Sequence, residues 1–255
     1  MSPVTMITFT SDFGSRYAAA VRGVLLAGTD ERLVDVTHAL PRHSTLGAAF
    51  WVDQLLREYP AGVHLIAADP GRGTATETVV GAVGGHRLVG PDTGVCWPVA
   101  QTLARRTGAS PKWYLHQSEP SAFPTRDSRA PLAVALAADP AGTLASCDPV
   151  DAPTRLALPE GSITDAVATG EVLTIDRFGN VITSIPADYI EANIGVPVTV
   201  AGMRGQIHDP RTPPEDGGLL VTAGEHGRVE LVIARGSAAK VSELVPGDQL
   251  SIEPV

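Results

Sequence analysis

Three carboxylates stand where apolar runs end: Asp12 after Met6–Thr10, Asp69 after Leu65–Ala68, and Asp176 after Val172–Ile175. In an open parallel sheet, loops just past the carboxyl ends of strands are where ligands bind. Asp69 is the sharpest case. Leu65–Ala68 reads as a strand covered on both faces. Pro70 then removes a backbone donor, and Gly71 and Gly73 permit a tight path. Arg72 follows within the same turn, so a carboxylate and a guanidinium share one loop. A turn carrying a solvated Asp is the competing reading. Asp176 opens Asp176-Arg177-Phe178-Gly179-Asn180. Phe178 offers a flat apolar face, and Asn180 offers one acceptor and two donors, enough to read the edge of an adenine. The alternative there is a strand corner in which Asn180 bonds its own backbone.

These residues need a frame, and the hydrophobic pattern supplies one. Met6–Thr10, Leu33–His38 and Val63–Ala68 read as strands, alternating with helices over Tyr17–Ala27 and Leu46–Tyr59. In the second helix, Leu46, Ala49, Phe50, Asp53, Leu56 and Tyr59 recur at spacings of three and four, and Pro60-Ala61-Gly62 stops it. Val79–Val83 and His86–Gly90 form a hairpin around Gly84-Gly85, and Val99–Thr107 is helical. This alternation predicts an α/β domain with a mainly parallel sheet over 1–140. Pro/Gly/Asp-rich sequence over 141–162 reads as a linker. Beyond it, short strand candidates at 171–175, 181–185, 196–201, 219–223, 229–234 and 249–253 predict a small antiparallel β-barrel domain over 163–255.

Composition narrows the partners. The 255 residues carry a formal charge of −9, which argues against nucleic acid or an anionic membrane as partner. Hydrophobic residues make up 44%, enough for a real core, yet no apolar run reaches the length of a membrane span. The chain starts almost directly on a strand, which predicts no signal peptide and a cytoplasmic protein. Cys96 and Cys147 read as two buried thiols rather than a disulfide. The histidines lack metal-ligand spacing, so no metal is expected.

Taken together, the motifs resemble the S-adenosyl-L-methionine (SAM) hydroxide adenosyltransferase family, or SAM hydrolases, which is related to SAM-dependent fluorinases and chlorinases. The matches run in order along nearly the whole chain: Thr10-Ser11-Asp12-Phe13-Gly14, Val34-Asp35-Val36-Thr37-His38, Asp69-Pro70-Gly71, Pro91-Asp92-Thr93-Gly94, Arg126-Asp127 with Ala130-Pro131, Ile175–Asn180, and Gly236-Ser237-Ala238-Ala239. The resemblance implies an N-terminal α/β domain, a C-terminal barrel, and a homotrimer whose ligand sites lie between subunits. It implies SAM as substrate with no further cofactor, and water displacing L-methionine from C5′ of the ribose to give adenosine. Residue by residue, Asp12 matches the carboxylate on the ribose hydroxyls, Phe178 and Asn180 the adenine contacts, and Asp176 a carboxylate facing the methionine amino group. Phe13 and Ser237 lie in matched motifs and carry over as ligand contacts. His43 falls near a position that covers the nucleoside, although a solvated loop histidine is the plainer reading.

The sequence also departs from that pattern. Of the Asp, Arg and His that hold water in the hydrolases, only Asp69 is matched. The Arg position falls at about Thr76, leaving Arg72 as the nearby candidate, and Pro124 stands at the His position. Thr125 occupies the place of a serine in halide-using relatives, but an anionic Asp69 would repel a halide. Near the methionine end an expected Asp is missing from Ser15-Arg16-Tyr17, and Glu225 stands where relatives grip a carboxylate. No aromatic in Asp209–Thr212 covers the far side of adenine. The expectation is therefore SAM hydrolysis with Asp69, Arg72 and Thr125 as catalytic candidates. The alternatives are a recruited enzyme acting on another ligand, a halogenase, and a nucleoside-binding trimer without turnover.

Overall fold

The computed structural model describes residues 6–68, 76–214 and 217–255. The chain divides into two compact units, Met1–Ala157 and Leu158–Val255.

In the first unit the elements are β1 (Met6–Ser11), α1 (Gly14–Gly28), β2 (Arg32–Thr37), α2 (Thr45–Leu56), β3 (Val63–Ala67), β4 (Thr78–Val83), β5 (His86–Pro91), α3 (Trp97–Thr107), β6 (Lys112–His116), a π-helical turn at Thr125–Arg129, α4 (Ala130–Ala138), α5 (Pro140–Ala145) and β7 (Asp148–Val150). The sheet order is β2-β1-β3-β5-β4-β6-β7. β2, β1, β3 and β5 pair in parallel, while β4 pairs antiparallel with both β5 and β6, and β7 antiparallel with β6. Five of the seven strands thus point the same way, as a mainly parallel sheet requires. α5 and β7 lie in the Pro/Gly-rich stretch read as a linker, and β7 adds an edge strand to this sheet.

β1 and β3 are buried at every position, which is why they read as continuous apolar runs. Ile7, Phe9, Leu65 and Ala67 face α1 and α4 in one core cluster. The opposite face of β3 and β5 meets α3: a Cβ on Gly90 would collide with the Cys96 thiol and press on Ile66. That face also carries a buried polar chain in which Thr8 Oγ1 lies 2.9 Å from His64 Nδ1 and His64 Nε2 lies 2.9 Å from His86 Nδ1. Burial holds the His64 pKa down to about 3 and the His86 pKa down to about 4; the neighbouring histidine adds to the first shift, and Arg106 and Arg87 add to the second. Both rings are therefore neutral at pH 7. α2 begins where Ser44 Oγ accepts the Gly47 amide at 3.0 Å, a cap that contributes about 1 kcal/mol.

The second unit holds β8 (Ser162–Thr164), β9 (Val167–Ile175), β10 (Val181–Pro186), α6 (Asp188–Glu191), β11 (Pro197–Val200), β12 (Met203–Ile207), β13 (Leu219–Ala223), β14 (Arg228–Ile233), α7 (Ala238–Ser242) and β15 (Gln249–Pro254). The order β10-β14-β13-β12-β11-β15-β9 closes on itself through a β9–β10 pairing, giving a seven-stranded barrel with β8 appended to β9. One pairing departs from the antiparallel expectation. β12 and β13 run parallel because the long connection after Ile207 carries the chain back to its starting end instead of reversing it in a hairpin. The barrel interior is filled by side chains such as Val172, Val181, Val198, Val221, Leu231 and Ile252.

The two cysteines are free and buried. Among the described residues no helix is long and apolar enough to cross a membrane.

Candidate functional site

The first set of candidate residues sits at the carboxyl ends of β1, β2 and β3. The Asp12 amide donates to the Ala67 carbonyl at 3.2 Å, tying the end of β1 to the end of β3. The Gly14 amide donates to the His38 carbonyl at 2.8 Å, and the Leu40 amide to the Ser11 carbonyl at 3.1 Å, tying both to the end of β2. Arg42 Nε donates to the Asp12 carbonyl at 3.3 Å. Gly14 turns the corner into α1 with φ +70°, a conformation open to glycine at little penalty. Phe13 caps α1 and packs on the core beneath, with its amide 3.4 Å from Ser11 Oγ. The half-buried Asp12 side chain is thus carried by a corner fixed from three strands.

Beneath Asp12 lies a cluster of polar side chains. Ser11 Oγ is 2.9 Å from His38 Nδ1, and His38 Nε2 is 3.3 Å from Asp35 Oδ1. Asp35 in turn pairs with Arg22 of α1. Ser11 is fully buried, so this Ser–His–Asp order fixes the strand end and does not expose a nucleophile.

The second set surrounds Thr125, the first residue of the π-helical turn, which is buried. Thr125 Oγ1 accepts from Arg129 Nη1 at 3.3 Å. Arg129, absent from the sequence-based candidates, is the largest fully buried side chain in the chain's described residues. Its Nε donates to Thr78 Oγ1 at 3.2 Å, and its Nη2 lies 3.2 Å from Thr76 Oγ1 and 3.5 Å from the Thr76 carbonyl. The guanidinium therefore meets Thr76, the residue at about which the resemblance leads one to expect an arginine. Nothing local in the sequence singles Arg129 out: Arg126 and Asp127 stand beside it, and Thr76 and Thr78 are distant in the chain. Asp69 and Arg72 lie outside the described residues. Cys96, buried close enough to feel the Arg129 charge, is held protonated: burial pushes its thiol up to about 12.

The third set is the barrel corner between β9 and β10. Asp176 Oδ1 accepts the amides of Phe178 at 2.8 Å and Asn180 at 2.9 Å, and Oδ2 accepts Asn180 Nδ2 at 2.9 Å. A carboxylate has about four lone-pair directions, so one remains for a ligand donor. Asn180 keeps its carbonyl oxygen and one N–H. Phe178 is 62% exposed, with the Arg177 guanidinium 4.5 Å from its ring centre, leaving a broad aromatic surface at the corner. Gly179, at φ +87°, sits so close to Ser237 that a Cβ there would overlap Ser237 Oγ. The Gly179 carbonyl accepts the Ala239 amide at 2.9 Å, and Ser237 Oγ accepts the Lys240 amide at 3.2 Å as the cap of α7. The structure thus joins the Asp176–Asn180 and Gly236–Ala239 motifs into one surface.

Other candidates are placed plainly. His43 is exposed on a turn at φ +60°. Glu225 is exposed to solvent. Asp209 pairs with Arg211 at 2.7 Å, and that bond holds its carboxyl below the usual range. Among the described residues no three His, Cys, Asp or Glu side chains converge as a metal site would require.

The chain thus joins an α/β unit that has a carboxylate corner at its strand ends to a closed barrel that has an aromatic–amide corner. The chain belongs to the SAM hydroxide adenosyltransferase family: the models of its N-terminal and C-terminal domains match residues 7–144 and 170–251. It is 36% identical over 270 residues to a protein of Salinispora arenicola named (R)-S-adenosyl-L-methionine hydrolase, covering 99% of both chains. It is 33% identical to a protein of the same name from Salinispora tropica, again covering 99% of both. A solved structure of a conserved hypothetical protein from Thermus thermophilus superposes with a TM-score of 0.75 at 32% identity over the full length of both chains.

Proposed function

We propose that this protein hydrolyses SAM, and specifically the (R)-sulfonium form for which its relatives are named, to adenosine and L-methionine. The observation that carries the reading is end-to-end similarity to proteins of that name, at 36% and 33% identity over 99% of the chain. The shared name favours hydrolysis over halide transfer, over recruitment to another ligand and over binding without turnover.

In this reading the water oxygen forms a bond to C5′ while the C5′–S bond breaks. The electron pair leaves with sulfur as neutral methionine, and the oxygen's extra proton passes to a carboxylate or to solvent. The sulfonium is already a good leaving group, so the protein's task is to hold a partly desolvated water in line behind C5′. Asp12 accepts the two ribose hydroxyls; charge-assisted bonds of this kind contribute about 1.5–3 kcal/mol each. Phe178 stacks on adenine, Asn180 reads its edge, and Asp176 offers its remaining lone pair to the methionine ammonium. Asp69 is assigned to the water, and Thr125 lines the nucleophile's side. SAM is the only small molecule required. We further propose a cytoplasmic homotrimer with sites between subunits, for which light scattering at three times the 26.5 kDa chain mass is the check.

The experiment is incubation of the purified protein with SAM, with products separated by chromatography. Adenosine and methionine in equal amounts are expected. A folded protein that gives no adenosine above the enzyme-free control overturns the reading.

A further inference from the structure

We infer that Arg129 is a positioning residue for the displacement step: its guanidinium, gripped by Thr76, Thr78 and Thr125, holds the nucleophile's side of the site in register. The inference rests on the hydrolase reading and extends it to a residue that the family motifs do not assign.

Arg129 is 0% exposed, and an arginine side chain keeps its charge at any working pH. Placing a permanent cation out of water is costly unless the surroundings are built around it. Here one further feature opposes the charge. Arg129 immediately precedes α4, so it faces the positive end of that helix's dipole. It also closes a π-helical turn, an irregularity that concentrates at functional sites. A core position filled only for packing would favour an apolar side chain, because α4 is otherwise Ala, Leu, Val and Pro.

The geometry assigns the charge a place. β4 starts at Thr78, which pairs with Pro91 at the carboxyl end of β5 and with His116 at the carboxyl end of β6. The guanidinium thus lies at the carboxyl edge of the parallel strands, the same edge as Asp12. Its donors run to Thr76 and Thr78 on one side and to Thr125 on the other, residues 47 or more positions apart in the chain. One rigid fork therefore joins the start of β4, with Thr76 just before it, to the turn that carries Thr125. An arginine with that placement holds the Thr125 hydroxyl and the approach to β4 in one fixed arrangement on the nucleophile's side.

The test compares wild type with Arg129→Met, Arg129→Lys and Thr76→Val, reading kcat, KM and melting temperature on each. Wild-type turnover is established first; its absence defeats the hydrolase reading and is thereby separated from failure of this inference. Arg129→Met is expected to lower kcat at least a hundredfold with KM changed less than threefold, and Arg129→Lys to recover at least tenfold of that loss. Thr76→Val keeps the side-chain shape and removes one acceptor, and is expected to lower kcat about tenfold at unchanged melting temperature. A folded Arg129→Met with wild-type kcat overturns the inference. So does Arg129→Lys no better than Arg129→Met, or Thr76→Val with wild-type kcat; this last variant decides the matter if Arg129→Met does not fold.

Discussion

Asp12 and Asp176 are both carboxylates at strand ends, but they are held in different ways. The Asp12 corner is fixed by atoms of Ala67, His38 and Arg42, which arrive from other strands and loops. Asp176 is fixed by residues two and four positions ahead of it. One corner is a product of the whole sheet; the other closes within five residues. A locally closed corner can be carried between proteins as a motif. A corner assembled through space can exchange its parts, provided that the same atoms reach the same place. The positioning role inferred for Arg129, whose guanidinium meets Thr76 from a distant segment, would make it such an exchange.

The comparison predicts unequal consequences. On the proposed function, Asp12→Ala removes the ribose contact, while the backbone bond from the Asp12 amide to Ala67 that ties β1 to β3 remains. It is expected to lower kcat/KM by at least about a hundredfold, as loss of two charge-assisted bonds requires, with little change in melting temperature. Steady-state kinetics beside a thermal melt checks both halves. Asp176→Asn puts an NH2 group where Asn180 Nδ2 now donates, so it loosens the corner as well as the ligand contact. A tenfold rise in KM is expected, together with a melting temperature lower by a few degrees. If Asp12→Ala proved the more destabilising of the two, the contrast between the corners would fail.

Acidification separates the units in a second, smaller way. His64 and His86 are buried with pKa values of about 3 and about 4, below the ordinary value of 6.5. Between those limits the unfolded chain binds protons that the folded chain refuses, so stability rises with pH and is lost as pH falls below about 6.5. All three tryptophans, Trp51, Trp97 and Trp113, belong to the first unit, so their fluorescence reports its unfolding alone. The melting temperature from that signal is expected to drop by roughly 5 °C per pH unit between pH 6 and pH 4, given up to about 1.4 kcal/mol per unit for each histidine. In the His64→Leu, His86→Leu double variant the slope should flatten. A wild-type melt independent of pH over this range would contradict the assignment.

Much of the frame was legible because the relevant signals are local. β1, α2 and β3 follow their apolar patterns, and Ser44 caps α2 within its own turn. α4 was not legible as a helix, since it is apolar on all sides and carries no periodicity. β12 was missed, and the parallel β12–β13 pairing depends on the path of a loop, not on composition. The joining of Asp176, Phe178, Asn180 and Ser237 into one surface follows from backbone bonds within two short motifs. The burial of Arg129 was not legible, because its partners Thr76 and Thr78 stand 53 and 51 positions away in the chain.

The central claim is that water, delivered by the N-terminal strand ends, attacks C5′ of SAM. Turnover in water enriched in oxygen-18 tests it most directly. Mass spectrometry should find one heavy oxygen in the 5′-hydroxyl of adenosine and none newly incorporated in methionine. Attack at another carbon would leave sulfur on the nucleoside, and in chloride-containing buffer a halogenase would give 5′-chloro-5′-deoxyadenosine. Either product in place of labelled adenosine would contradict the account.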